Sequence, residues 1–293
     1  PGVLPHAGAR APFPGSRTSR PELAQVQQLQ PRVGAMLSRA VRALSPHELL
    51  AAARKAAGVA FAQVDPKTCL TFHSYEAMSD EVVACMVSKA GDAFKIWRKV
   101  PVADRARRLS PLAEMLRDRA DAFARQMEQE MGKPLPQGKA EVLKSAHLVD
   151  YYAQHGPSFM QDIERPALLG FKKSYVTYRP LGVILSIMPW NFPVWQVIRM
   201  AVPTMIVGNT VLLKHAPNCF GTSLMCQELL QAVPDTPVGL FQSLIIDVPQ
   251  VHAVLEHPFV QGVALTGSET AGRAVAAKAG SLLKKAVVEL GGS

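Results

Sequence analysis

Four polar side chains each stand at the end of an apolar segment, and together they could bind and transform a polar ligand. Asn191 follows one such segment with a side-chain amide, and Lys214 ends the next with a cation. Ser268 lies where a segment passes into a helical pattern, whose first free N–H groups can bind a phosphate. Glu289 ends the last segment with a carboxylate, which can serve as a general base. If the segments are parallel strands of one sheet, their ends share the edge where such sheets bind ligands.

The first two of these side chains lie on a predicted strand–turn–helix–strand unit. Residues 181–188 are almost wholly apolar and rich in branched side chains, which is typical of a strand covered on both faces. Pro189 and Pro193 stiffen the turn that follows, because each fixes its own backbone and restricts the residue before it. A helix is predicted over 194–209 and a strand over 210–214. Taken singly, the amide is typical of a turn and the lysine of a surface charge; their common position favours a site.

The two later motifs are weaker when each is taken alone. In Thr-Gly-Ser-Glu-Thr-Ala-Gly at 266–272, Gly267 and Gly272 would let the backbone approach a ligand closely, although many helices begin with Gly and Ser. Residues 285–290 form an apolar strand that carries Glu289 near its end. Partial burial there would raise the pKa of the carboxyl group, which suits a base for water. A glutamate turned to solvent is the alternative.

Helical spacing dominates between residues 79 and 160. We predict helices over 79–97, 102–118, 120–131 and 137–155, with Val82 among the inward-facing residues of the first. These helices carry no cluster of reactive side chains, so we expect them to pack on the sheet and to have a structural role.

In combination the motifs resemble those of the aldehyde dehydrogenase superfamily, and most of all its succinate-semialdehyde dehydrogenases. Pro-Trp-Asn-Phe-Pro at 189–193 and Leu-Leu-Lys-His-Ala-Pro at 212–217 are followed by the glycine motif at 266–272 and by Glu-Leu-Gly-Gly at 289–292. The resemblance begins near Ala62 and continues to the last residue. Four motifs in the same order make a chance agreement untenable.

The resemblance implies a fold and a reaction. The fold is α/β: over residues 59–293, a dinucleotide-binding domain with a parallel five-stranded sheet and packed N-terminal helices, its catalytic domain truncated. In the reaction, a cysteine thiolate attacks an aldehyde, the amide of Asn191 stabilises the oxyanion, and hydride leaves for the nicotinamide. Glu289 then activates the water that hydrolyses the thioester. The residues implied in cofactor binding are Trp190, Asn191, Lys214, His215, Ala216, Pro217, Gly267, Ser268, Gly272 and Leu290.

Two positions bear on which cofactor and which aldehyde are used. NAD-preferring members of the family often carry a glutamate where Pro217 stands, so its absence beside Lys214 and His215 favours NADP, with NAD left open. Arg199 lies two helical turns beyond Asn191 on an otherwise apolar helix, where matching family members hold a substrate carboxylate. A cation in that position is costly unless it is paired. Succinate semialdehyde would supply the partner, with a structural ion pair as the alternative.

The family's nucleophilic cysteine is expected beyond residue 293. Among the four cysteines, Cys219 precedes a predicted helix whose dipole could lower its pKa, but the sequence implies no neighbouring base, and we do not assign it the role. We therefore expect that this chain alone oxidises no aldehyde. The alternative is a short protein that binds a nucleotide or a protein partner without catalysis. For the full-length form the resemblance implies a homo-oligomer.

Composition and charge exclude several classes of protein. Apolar residues make up 48% and charged residues 19% of the chain, as in a globular protein. The net charge of +9 could indicate nucleic-acid binding, but residues 1–58 hold eight basic and two acidic side chains, so the rest is nearly balanced. No apolar run is long enough to cross a membrane, and the cysteines show no metal-ligand spacing.

Residues 1–58 differ from the rest of the chain. Their first half is rich in Pro, Gly, Ala, Arg and Ser without apolar periodicity, which is typical of disorder. From Met36 onward, Leu37, Val41 and Leu44 recur at helical spacing with arginines on another face. Such an acid-poor amphipathic helix resembles an organellar transit peptide and indicates mitochondria, with plastid or cytoplasm as alternatives. A solvated surface helix is the other interpretation.

Overall fold

The computed structural model describes residues 60–167 and 169–291, and the leader expected over 1–58 lies outside these residues. The described part begins with an antiparallel hairpin of β1 (Ala60–Val64) and β2 (Thr71–Glu76). Aromatic contacts attach this hairpin to the body of the protein. The ring of Phe61, for example, lies edge-on to that of Phe220 at a centroid distance of 5.1 Å.

A group of helices follows the hairpin. They are α1 (Asp80–Trp97), α2 (Val102–Leu109), α3 (Leu112–Asp118), α4 (Ala120–Met131) and α5 (Leu135–Phe159). The helix predicted over 120–131 is confirmed residue for residue. Gly132 ends it in the left-handed conformation, with φ 72°, which a glycine adopts without steric cost.

The other helix predictions need correction. The helix predicted over 102–118 is two helices, because Pro111 has no N–H with which to continue the hydrogen-bond ladder. The helix predicted over 137–155 begins earlier and ends later, as the bounds of α5 show. In α1 the side chain of Val82 is exposed, so its predicted inward position was wrong, whereas Val83 and Val87 are buried.

A small antiparallel pair, β3 (Ile163–Arg165) and β4 (Ser174–Val176), precedes the main sheet. The main sheet then alternates strands with helices along the chain. Its elements are β5 (Val183–Met188), α6 (Trp195–Val207), β6 (Thr210–His215), α7 (Phe220–Gln231), β7 (Phe241–Ser243), α8 (Val248–Glu256), β8 (Val260–Gly267), α9 (Glu269–Ser281) and β9 (Lys285–Leu290).

The five strands are parallel and lie in the spatial order β7-β6-β5-β8-β9. The predicted α/β fold with a five-stranded parallel sheet is confirmed. Two strands extend to one side of β5 and two to the other, so the order reverses between β5 and β8. In open parallel sheets the carboxyl ends of the strands at such a reversal form a ligand-binding crevice.

Helices cover both faces of this sheet. In β6, Val211 and Leu213 belong to a core that also includes α6 and the N-terminal helices α2 to α5, whereas Leu212 belongs to a core with α1, α8 and α9. All three side chains are fully buried. Burial on both faces explains why β5 and β6 are continuous apolar runs and do not alternate.

Candidate functional site

The carboxyl ends of β5 and β8 lie side by side where the strand order reverses, and the chain then leaves them in different directions. Beyond Met188 it enters the turn at 189–193, and beyond Gly267 it enters α9. Strand β9 brings a third end to the same place, because Gly267 pairs with Leu290. The carboxyl ends of β5, β8 and β9 thus lie together at one edge of the sheet.

An open crevice of about 570 Å³ lies between these ends. Its lining residues are Pro189, Trp190, Asn191, Thr266, Gly267, Ser268, Glu289, Leu290 and Gly291. Six of them are predicted catalytic or cofactor-binding residues, including the amide, the hydroxyl and the carboxylate. Lys214, which was predicted to converge with them, lies on the neighbouring strand β6 but is not among the lining residues.

The side chain of Asn191 is oriented by its own turn. Its Oδ1 accepts a hydrogen bond from the N–H of Phe192 at 3.1 Å, and its carbonyl oxygen accepts one from Nζ of Lys133 at 2.9 Å. Within the described residues no group binds Nδ2 of Asn191. Its NH2 group is therefore free to donate to an oxygen of a ligand.

Two residues of this neighbourhood were missed in the sequence, Lys133 and Glu141. Their side chains are 7% and 1% exposed, and Nζ of the lysine lies 2.5 Å from Oε2 of the glutamate. Glu141 also accepts hydrogen bonds from the backbone N–H groups of Val194 and Trp195. Two charged residues eight positions apart gave no signal, because only the packing of α4 and α5 against the turn brings them to it.

Ser268 begins α9 as its N-cap, and its Oγ accepts a hydrogen bond from the N–H of Ala271 at 3.3 Å. The start of this helix therefore faces the crevice with backbone N–H groups that a phosphate could bind. Gly272, predicted to approach the cofactor, is buried, and its close neighbour is Leu290. A Cβ added at position 272 would lie 2.3 Å from Cδ2 of that leucine. The glycine thus lets α9 pack closely on β9.

The predicted cofactor residues around the end of β6 differ in accessibility. Lys214 is half-buried, and burial lowers the pKa of its ammonium group, while the charge of Asp247 opposes that shift. Ala216 is half-buried and Pro217 is exposed. Both lie in the segment that leaves the sheet, where a ligand could reach them.

The ring of His215 is fully buried, which corrects the expectation that it contacts a cofactor. Its Nδ1 accepts a hydrogen bond from the N–H of Ala216 at 2.8 Å, and its Nε2 lies 3.0 Å from the carbonyl oxygen of Pro193. With Nδ1 accepting, Nε2 carries the proton and donates to that oxygen. Burial lowers the pKa of His215 to about 4, so the ring is neutral. Its role is to attach the end of β6 to the turn that carries Asn191.

Glu289 is paired with Arg199 of α6. Nη1 of the arginine lies 2.9 Å from Oε1 and Nη2 lies 2.5 Å from Oε2, and Nη2 also donates to Oε1 of Gln196 at 2.8 Å. The hydrogen bond from Arg199 lowers the pKa of Glu289. The expectation of a raised pKa was wrong, because this carboxylate is half-exposed and paired with a cation.

Glu289 lines both the crevice and a second cavity of about 340 Å³, which Arg199 also lines. Apolar side chains form much of the remaining wall, among them Met188, Met200 and Leu265. Within the described residues Nε of Arg199 is buried without a hydrogen-bond partner. Glu289 therefore borders both an open crevice and a largely apolar cavity, whereas Arg199 borders the cavity alone.

In the part of the chain that the structure describes, no thiol faces the crevice, since the lining contains no cysteine. Cys219 and Cys226 are buried, and burial raises the pKa of both thiols, while Cys69 and Cys85 are exposed elsewhere. Across residues 60–167 and 169–291 there is no group of His, Cys, Asp and Glu side chains suited to hold a metal ion. In the same residues no helix has the length and apolar character needed to cross a membrane.

Comparison with known proteins decides the family. The pattern of the aldehyde dehydrogenase family matches residues 53–293. The chain belongs to the aldehyde dehydrogenase family. Among the relatives of this chain, the "succinate-semialdehyde dehydrogenase (NADP+)" of Deinococcus radiodurans is 40% identical over 233 residues, which are 80% of this chain and 48% of that protein.

Two further comparisons agree. The "succinate semialdehyde dehydrogenase (NAD(P)+)" of Escherichia coli is 43% identical over 204 residues, or 70% of this chain and 44% of that protein. The solved structure of succinic semialdehyde dehydrogenase from Streptococcus pyogenes in complex with NADP+ superposes with a TM-score of 0.75 at 34% identity, and covers 79% of this chain and 50% of that one. The chain spans about half the length of the curated relatives it matches.

Proposed function

We propose that the whole protein oxidises succinate semialdehyde to succinate with NADP+, and that this chain supplies the cofactor crevice, the oxyanion donor and the general base. One observation carries the proposal: Asn191, Ser268 and Glu289 line a single crevice where the strand order reverses. Membership of the aldehyde dehydrogenase family supports the reaction class. The names of the similar proteins support the substrate and the cofactor.

The crevice is compatible with a dinucleotide in charge and in space. The first turn of α9 offers N–H groups to a pyrophosphate. Gly267 leaves the approach open, since the nearest atom to an added Cβ there is Cδ2 of Leu265 at 3.7 Å. Pro217 places no carboxylate near the ribose, which leaves room for the 2′-phosphate of NADP+, and NAD+ is the alternative. When bound, the nicotinamide ring accepts the hydride from the aldehyde carbon.

Asn191 and Glu289 perform the steps that fall to this chain. The free NH2 group of Asn191 donates to the oxyanion that forms when the aldehyde is attacked. Glu289 takes a proton from the hydrolytic water, and release from Arg199 favours this step, because the guanidinium bonds both oxygens and lowers the pKa of the carboxyl group. A substrate carboxylate that binds Arg199 competes with Glu289 and so favours its release.

The position of Arg199 favours an aldehyde substrate that carries a carboxylate at its other end. It is a cation of α6, it borders the apolar cavity, and its Nε is without a partner among the described residues. A short carbon chain with a terminal carboxylate matches an apolar wall that ends in a guanidinium. The ion pair with Glu289 is the resting contact of the same side chain.

The reaction also needs a thiolate. The cysteines of this chain are buried or lie away from the crevice, so we propose that the nucleophile comes from residues outside it. The purified 293-residue chain should then bind the cofactor and oxidise no aldehyde. Homo-oligomerisation of the full-length form and a mitochondrial leader remain part of the proposal.

Cofactor binding is tested by calorimetric titration of the purified chain with NADP+ and NAD+. The informative variant is Ser268→Asp, because aspartate is also a good N-cap but adds a negative charge where the phosphate would bind. We expect NADP+ affinity to fall at least about tenfold with little change in stability. Ser79→Asp is the matched control, since Ser79 is the N-cap of α1, away from the crevice.

Equal NADP+ affinities for wild type and Ser268→Asp would overturn the placement of the phosphate. Absence of NADP+ and NAD+ binding by a folded wild-type chain would overturn the proposed function. NADPH formation from succinate semialdehyde by the 293-residue chain would show that the nucleophile is within it, against the proposal made here.

A further inference from the structure

The turn that carries Asn191 is attached to two N-terminal helices by one buried ion pair. We propose that Lys133 and Glu141 are positioning residues, which fix the backbone of residues 191–195 and thereby the direction of the Asn191 amide. This inference rests on the proposed function only in giving that amide a catalytic task. The attachment itself is visible in hydrogen bonds.

Lys133 is brought to the turn by the way α4 ends. Gly132 adopts φ 72°, which reverses the chain, and the N–H of Lys133 bonds back to the carbonyl of Met127 at 3.4 Å. The side chain then runs into the interior, where 7% of it remains exposed. Its Nζ donates to the carbonyl oxygen of Asn191 at 2.9 Å and lies 4.1 Å from the ring centroid of Phe192.

Glu141 holds the other end of the same segment. Its Oε1 accepts hydrogen bonds from the N–H of Val194 at 2.8 Å and of Trp195 at 2.9 Å, the first groups of α6. A carboxylate at a helix N-terminus is favoured by the helix dipole as well as by these bonds. Oε2 of Glu141 lies 2.5 Å from Nζ of Lys133, so the pair joins both ends of the segment.

The alternative is that the pair serves stability alone. Buried ion pairs are weak contributors to stability, and well-packed apolar residues often replace them without loss. Here an apolar pair would leave Asn191 without a partner for its carbonyl, and Val194 and Trp195 without a carboxylate for their N–H groups. The charged groups therefore supply hydrogen-bond partners that the backbone of the turn requires and that apolar side chains cannot supply. A variant without both charges can thus distinguish a positioning role from a role in stability alone.

The test compares wild type with the double variant Lys133→Met/Glu141→Met, which removes both charges together and avoids leaving one buried alone. NMR follows the Asn191 side-chain NH2 signals and the exchange rates of the Val194 and Trp195 amides. We expect the signals to shift and these amides to exchange about tenfold faster, and the unfolding midpoint to fall because Val194 and Trp195 lose the acceptor for their N–H groups. Lys139→Met is the control, because Lys139 lies on α5, as Glu141 does, and the variant breaks its exposed ion pair with Asp121 of α4.

Unchanged Asn191 signals in a folded double variant would overturn the inference. If the double variant does not fold, Glu141→Gln decides: it keeps an oxygen for the two amides but takes the carboxylate from Lys133, and the Asn191 signals should shift by a smaller amount. No shift in this variant would again overturn it.

Cofactor binding gives a second readout that a purely structural role would not move. In the proposed function the nicotinamide half of NADP+ binds beside Asn191, and adenosine 2′,5′-bisphosphate lacks that half. We expect the double variant to bind NADP+ about tenfold more weakly and the bisphosphate equally well. An equal loss of affinity for both ligands would contradict the proposed positioning role of Lys133 and Glu141. If the wild type binds neither ligand, the proposed function fails while the NMR result still decides the inference.

Discussion

Arg199 and Glu289 form a two-pronged ion pair across the gap between α6 and β9, with N–O distances of 2.9 and 2.5 Å. Both oxygens of the carboxylate are engaged, and the guanidinium holds the pKa of Glu289 below its ordinary range. Release from this pair would make the carboxylate a stronger base toward water. The pairing therefore links the proposed substrate site to the proposed base.

The first prediction concerns the pKa of Glu289. In Arg199→Gln the cation is lost, so the pKa of Glu289 should rise, and added succinate should raise it in the wild type by competing for the guanidinium. Carboxyl-carbon NMR titration of the labelled glutamate measures both effects. The control is Arg273→Gln, which breaks an exposed pair with Glu269 on α9 and should leave Glu289 unchanged. An unaltered Glu289 titration in Arg199→Gln would contradict the pairing.

The second prediction concerns stability at acid pH. The pKa of His215 is about 4 in the folded protein and 6.5 as its ordinary value, so the unfolded state binds the extra proton first as the pH falls. The free energy of unfolding should therefore decrease below pH 6.5 and level off near pH 4, by up to about 3 kcal/mol from this group. Urea unfolding across this range measures it.

The control for this prediction is a second histidine. His215→Gln should remove most of that pH dependence, because glutamine has no titrating group. The exposed His252 of α8 offers the matched variant His252→Gln, in which the decrease should persist. If both variants behave alike, burial of His215 is not the cause.

How far the sequence predicted the molecule depends on the range of the contacts involved. The strand before the Asn191 turn and the helix at 120–131 follow from local signals: an apolar run closed by prolines, and a pattern closed by Gly132. Pro111, which interrupts the helix predicted over 102–118, is also a local signal, but the prediction overlooked it. Such features depend on neighbours within a few residues, and a single sequence contains them.

The errors at the site come from distant contacts. The pKa of Glu289 depends on Arg199, which is 90 residues away in the chain, and the turn depends on Lys133, 58 residues before it. His215 stands in a strand buried on both faces, where period-two alternation gives no sign of which side chains are accessible. Only the assembled fold decides these three cases.

The third prediction uses two glycines of α9. A Cβ at position 272 would lie 2.3 Å from Leu290, whereas nothing lies within 4 Å of one at position 280. Gly272→Ala should therefore displace Leu290 from the crevice and lack the stabilisation that alanine brings to a helix. Gly280→Ala, on the same helix, should stabilise it by about 0.5–1 kcal/mol. Denaturant unfolding measures both, and stabilisation of equal size in the two variants would contradict the role of the Leu290 contact.

The last prediction concerns the choice between the two dinucleotides. Pro217 is exposed where the chain leaves β6, and a glutamate there would repel a 2′-phosphate and accept hydrogen bonds from free ribose hydroxyls. Pro217→Glu should therefore weaken NADP+ binding about tenfold and strengthen NAD+ binding. Calorimetric titration of both ligands measures the change in their ratio. The control Val238→Glu adds the same charge at a side chain that is 85% exposed and lies outside the crevice, and there the ratio should stay at its wild-type value. A ratio that moves equally in both variants would indicate a general effect of net charge and would contradict the placement of the ribose beside Pro217.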